Sequence, residues 1–156
     1  MVSLELIRRY PFFAGLSLEQ MTFLAEAATE KKVEAGHFFL HEKDETPYLF
    51  LIVKGTVAVI IDLPQQDKEI TVSTVGPGEV FAWSALVPPH TATAGVKAST
   101  PCHVVVMDCR KLLKVFEEDD PRFGYQMMKK AAQAIRDRMV IMTTETLAYL
   151  AEETGG

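Results

Sequence analysis

The chain has 156 residues, 48% of them hydrophobic, enough for one buried core and too few for two ordinary domains. Its net charge of -5 excludes the cationic surface on which duplex nucleic-acid binding depends. No secretory pattern opens the chain, and the longest apolar run is broken by Lys54 and Gly55, so a cytoplasmic protein with neither nucleic acid nor membrane as partner is expected.

From the N-terminus, Ser17-Leu-Glu-Gln20 has the spacing of a capping box and predicts a helix through Ala28, with Met21, Leu24 and Ala28 on its apolar face. Residues 1–32 are thus read as N-terminal helices, and residues 33–108 as a β-roll. Within the roll, Tyr48–Val53 and Val57–Ile61 are continuous apolar runs, the pattern of strands covered on both faces. Lys68–Val75 instead alternates with period two, as a half-buried strand does. Turns are expected at Asp44–Pro47, Leu63–Asp67 and Gly76–Gly78. Many short antiparallel strands with regular turns predict a double-sheet jelly roll, a mainly β fold with flanking helices.

The two cysteines are too few for a disulfide framework. Cys102 reads as a small core residue; Cys109 opens a short helix after an Asp108 cap, where the helix dipole would lower its pKa and leave a minor redox role open. His37 and His41, four apart on an extended strand, would stand about 13 Å from each other, too far to share a metal. No metal or cofactor site is expected.

Residues 109–151 close the chain as helices. Asp120-Pro121 is a cap followed by proline at the first helical position, and nothing breaks the stretch before Gly155. A helix of roughly thirty residues extends about 45 Å, more than the roll beneath it covers. Phe123, Met127 and Ala131 are expected to pack on the roll. Met128, Ala132, Ile135, Met139, Met142, Thr146 and Tyr149 fall at spacings of four and three in alternation, a heptad seam that predicts a dimerisation helix. The alternative is a stripe that packs only on its own chain.

Residues 76–94, within Val75-Gly-Pro-Gly-Glu-Val-Phe-Ala-Trp-Ser-Ala-Leu-Val-Pro-Pro-His-Thr-Ala-Thr-Ala94, carry the most information about function. Together with Pro11-Phe-Phe-Ala-Gly-Leu-Ser17, Glu34–Glu42, Tyr48–Val59 and Val96–Asp108, in that order along the chain, they resemble the cyclic-nucleotide-binding domain of the catabolite-activator (Crp/Fnr) superfamily of bacterial regulators. The resemblance implies that residues 76–94 are the phosphate-binding cassette, in which nucleotide-binding members carry Phe-Gly-Glu and, after a helical turn, an arginine. Here the triplet is Phe81-Ala82-Trp83, and no arginine lies between Trp83 and Lys97; His90, Thr91 or Ala92 falls at the arginine's place. Burying a phosphodiester without a guanidinium costs several kcal/mol in order-of-magnitude terms, so cyclic AMP is expected to bind weakly or not at all.

Two readings of the degenerate cassette stand side by side. Trp83 fills the old pocket, or the pocket is retuned, with Phe81, Ala82, Trp83, Ser84, Ala85, His90, Thr91 and Thr93 offering an aromatic platform and neutral polar groups to a neutral or weakly acidic ligand. The helical turn after Phe81 would also present free N–H groups. No nucleophile with a partnered base is visible, so no enzyme is expected. The chain reads as a single-domain, non-catalytic small-molecule sensor, homodimeric through its last helix and resembling a stand-alone sensory domain without a helix-turn-helix. The alternatives are a ligand-free protein–protein interaction domain, or the sensory fragment of a transcription regulator.

Overall fold

The computed structural model describes residues 1–155. Helix α1 (Leu4–Arg8), a 3-10 turn at Pro11–Phe13 and helix α2 (Leu18–Glu26) precede eight strands: β1 (Ala28–Val33), β2 (Phe38–Leu40), β3 (Tyr48–Lys54), β4 (Val57–Leu63), β5 (Lys68–Val75), β6 (Val80–Phe81), β7 (Gly95–Ala98) and β8 (Cys102–Asp108). Helices α3 (Cys109–Glu118) and α4 (Pro121–Gly155) follow. The strands form two antiparallel four-stranded sheets, ordered β1-β8-β3-β6 and β2-β7-β4-β5. This is the jelly roll expected from the strand pattern.

The apolar run of β3 has a direct physical reason. Alternate residues of a strand point to opposite faces, and β3 separates two cores. Leu49 and Leu51 join Phe13, Leu24, Phe123 and Met127 beneath the helices, whereas Phe50 and Ile52 join Val57, Val75, Phe81 and Val96 between the sheets. Strand β8 divides the same way, Val105 and Met107 to the helices and Cys102 and Val104 to the sheets. Strand β4 departs from the expectation. Only its Val57 and Ile60 are buried, the other five residues being partly or fully exposed. In β5 the alternation buries only Ser73 and Val75, and the residues from Lys68 to Thr71 are exposed.

Ser17 and Gln20 make the capping box, each side chain bonded to the other's backbone N–H at 3.1 and 2.9 Å. Helix α2 stops at Glu26, however, and Ala28 opens β1 rather than closing the helix. Strand β1 escaped sequence reading because four of its six residues are exposed and polar; it pairs only with β8, at a sheet edge. His37 and His41 flank the short β2 instead of lying within one long strand.

Gly55 turns the chain from β3 into β4 with φ +97°, and an added Cβ would lie 2.5 Å from the Pro101 carbonyl oxygen, so only glycine fits. Asp120 caps α4 through Oδ1, which accepts from Phe123 N–H at 3.0 Å. Phe123, Met127 and Ala131 are buried against the roll as the stripe predicts. Over its 35 residues α4 extends about 52 Å. Its later part leaves the roll: every residue from Met139 to Thr154 is exposed.

Candidate ligand-binding site

The cassette begins at the Gly76–Gly78 turn, which Glu79 closes by accepting Gly76 N–H on Oε1 at 3.2 Å. Strand β6 then pairs Phe81 with Phe50, and the two rings stack with centroids 4.9 Å apart. At Ala82 the backbone enters the left-handed region (φ +72°, ψ +48°) and a single 3-10 turn, Trp83–Ala85, follows. One such turn is too short to sum a helix dipole.

A cavity of about 440 Å3 lies between this segment and α4, within the usual size range of small-molecule pockets. Phe81, Ala82, Trp83, Ser84, Thr91, Ala92 and Thr93 line it, with Val75, Val80 and Val96 from the sheets. Ile135, Arg138, Met139 and Met142 of α4 form its far wall. Trp83 does not plug this space. Its ring leans on Phe12, centroids 5.9 Å apart, and packs against the helical core, so it forms wall rather than filling. Ser84 Oγ is shielded from solvent and has no hydrogen-bond partner among the described residues.

Two residues expected in this site lie elsewhere. Ala85 and His90 line a separate space of about 330 Å3, bounded by Glu45, Pro47, Arg110 and Leu113. His90 sits at φ +62°, and its Nδ1 lies 2.8 Å from the Ser84 carbonyl oxygen. A carbonyl only accepts, so Nδ1 carries the proton. His90, one of the three residues that fall near the cassette arginine's place, is thereby committed to the loop's own backbone.

The cation in the cavity comes from α4. Among the described residues Arg138 is the one ionisable side chain in the cavity wall, and it is only 18% exposed. Its Nη1 donates to Glu79 Oε2 at 3.1 Å, and its Nη2 donates to the Thr74 carbonyl oxygen at 2.7 Å and to Ser73 Oγ. Ser73 is the buried polar residue among the described residues of the roll, and this bond satisfies it. The resemblance points to an arginine inside the cassette, and residues 76–94 hold none. The signal lay on α4: residues 135, 138, 139 and 142 share one helical face, and Arg138 interrupts three apolar positions there.

Three residues of the heptad seam, Ile135, Met139 and Met142, therefore border this chain's own cavity, and Met128 packs against the helical core. Ala132, Thr146 and Tyr149 are exposed. Cys109 also differs from expectation. It is fully buried, and desolvation pushes its thiol up to about 12, overwhelming any pull from the start of α3. Among the described residues no helix is long and apolar enough to cross a membrane.

An antiparallel roll with a cavity between its β6–β7 segment and a C-terminal helix defines a class of ligand-responsive regulatory modules. The chain belongs to the cyclic nucleotide-binding domain family, whose profile matches residues 30–119. A structure assigned to the cyclic nucleotide-binding proteins, from Geobacter metallireducens, superposes with a TM-score of 0.80 at 29% identity, covering 89% of this chain and 99% of that one. The catabolite activator protein of Thermus thermophilus shares the fold, with a TM-score of 0.67 at 18% identity over 87% of this chain and 63% of that one. In sequence, the chain is 30% identical over 95 residues to the type II regulatory subunit of cAMP-dependent protein kinase from Drosophila melanogaster, 61% of this chain and 25% of the subunit. The matches to curated relatives thus span a quarter of their length or less.

Proposed function

We propose that the chain is a non-catalytic small-molecule sensor whose cavity takes a ligand other than cyclic AMP and whose α4 reports occupancy. The observation that carries this reading is the shared wall: cassette residues Trp83, Ser84, Thr91 and Thr93 face Ile135, Met139 and Met142 of α4 across one cavity. A ligand that touches both walls stabilises one packing of α4 and so shifts its population. No arginine stands in the cassette between Trp83 and Lys97 to neutralise a phosphodiester, and Arg138, the cation that α4 brings to the cavity, is already paired with Glu79. The far half of α4, with Val140, Ile141, Leu147, Tyr149 and Leu150 exposed, supports pairing with a second copy of the chain, so that a change in α4 reaches the partner subunit.

Native mass spectrometry of gently purified protein tests this reading. A dimer carrying a discrete extra mass, together with no rise in melting temperature at millimolar cyclic AMP, is the expected result. A rise of several degrees with cyclic AMP overturns the ligand assignment. The second reading, a ligand-free interaction module, is favoured by the same exposed apolar residues on α4. A bare dimer indifferent to cyclic nucleotides and to small-molecule libraries supports it.

A further inference from the structure

We infer that the cavity is selective for a carboxylate on an apolar body, with Arg138 as the specificity-determining residue and Glu79 as an internal stand-in for the ligand's charged group. The inference rests on the sensor reading and names the ligand class of that same site.

Three observations carry it. Among the described residues Arg138 is the sole ionisable group in a wall otherwise built of aliphatic, aromatic and hydroxyl side chains, so a charged group brought into the cavity meets one cation and no anion on that wall. The side chain is largely withdrawn from water, which strengthens its pull on an anion. Its three recorded bonds, to Glu79, Thr74 and Ser73, use three of the five N–H donors of a guanidinium.

Glu79 indicates which anion fits. One of its carboxylate oxygens already occupies Arg138 Nη1, so the guanidinium accommodates a carboxylate oxygen in this fold. Glu79 is 44% exposed and its other oxygen is held by Gly76 N–H. It can therefore release Arg138 to a ligand while keeping the Gly76 bond, and the freed oxygen rehydrates at little cost. The apolar remainder of the ligand then lies against Trp83, Val80 and Met139. A neutral ligand gains the apolar contacts alone.

The test is calorimetric titration of the full chain at neutral pH with 1-naphthylacetate and its neutral isostere 1-naphthylacetamide. The acid is expected to bind at least tenfold more tightly than the amide. Arg138→Met should abolish that preference, Arg138→Lys should retain part of it, and Glu79→Gln should tighten the acid several-fold by removing its competitor. Arg138→Lys keeps a cation at the site if the methionine variant folds poorly. Equal binding of acid and amide to the wild type, or a preference that survives Arg138→Met, overturns the carboxylate inference and leaves the sensor reading standing. Binding of neither compound also overturns it, and the retained mass in the native spectrum then decides the sensor reading separately.

Discussion

Arg138 and Ser73, 65 residues apart in sequence, are hydrogen-bonded to each other, and through that bond the buried hydroxyl of β5 holds the middle of α4. Removing the guanidinium leaves Ser73 Oγ without a partner in the roll, a loss of about 1–3 kcal/mol for a buried polar group. The exposed share of the pair with Glu79 adds little. Arg138→Met should therefore lower stability by about 1 kcal/mol, and in the Ser73→Ala background the same change should cost distinctly less. A double-mutant cycle by urea denaturation measures the coupling. Additive losses would show that the bond does not tie α4 to the roll.

Ala82 holds a backbone conformation that suits glycine. At φ +72° its Cβ crowds the carbonyl oxygen, which costs roughly 1–2 kcal/mol for an L-residue. Glycine removes that cost, and gives back part of it through a more flexible unfolded chain. Ala82→Gly is expected to raise stability by about 0.5–1 kcal/mol, a shift of roughly 1–4 °C in Tm for a domain of this size. A fall in Tm would mean that the Ala82 methyl group contributes more to the cavity wall than its backbone strain removes.

Much of the fold was legible because burial imposes period. The double-sided run of β3, the Ser17–Gln20 box, the Asp120 cap and the Phe123, Met127, Ala131 stripe each follow from one local rule. Strand β1 was not legible, since an exposed edge strand rich in Thr, Glu and Lys shows no apolar period. The site was legible in its near wall only. Phe81, Trp83, Thr91 and Thr93 are neighbours in sequence and in space, but Arg138 reaches the cavity from 55 residues beyond Trp83. His90 was misplaced because a left-handed backbone at that residue turns its side chain to the other side of the loop, and sequence spacing does not report φ.

Asp108 gives the fold a defined acid sensitivity. Its carboxylate caps α3 by accepting Arg110 N–H at 3.0 Å, and the Arg110 guanidinium bonded to it holds its pKa below the usual value, against an opposing pull from burial. The native group is thus the stronger acid, so its stabilisation is complete above the unfolded pKa of about 3.9 and is lost as pH falls through the lower native value. Asp108→Asn keeps an acceptor for the cap and removes the charge. Its stability deficit should be full at pH 7 and shrink below about pH 4. A deficit independent of pH in urea titrations would show that the charge contributes nothing.

Gly124 sets how closely α4 can lie on α3. A Cβ built there would fall 2.7 Å from Phe116 Cβ and 3.0 Å from its Cγ, and Phe116 is itself wedged edge-on against Phe123, centroids 5.0 Å apart at 78°. Alanine is the better helix former by about 1 kcal/mol, which favours the substitution in isolation. The clash opposes it, because Phe116 is buried and has no open side to move into; overpacking of this kind costs about 1–3 kcal/mol. The clash is expected to win, with Gly124→Ala less stable than the wild type by about 1 kcal/mol. The larger consequence lies down the helix. Ile135 and Arg138 are 11 and 14 residues on, about 17 and 21 Å along the axis, so a small tilt at Gly124 is magnified at the cavity wall. Amide exchange on the variant should show loss of protection in α4 around Ile135 and in the Trp83–Ala85 turn, with the sheet strands β3 and β8 unchanged. Unaltered protection at Ile135 alongside lower stability would separate the α3–α4 packing from the cavity and remove the route by which occupancy reaches the end of the helix.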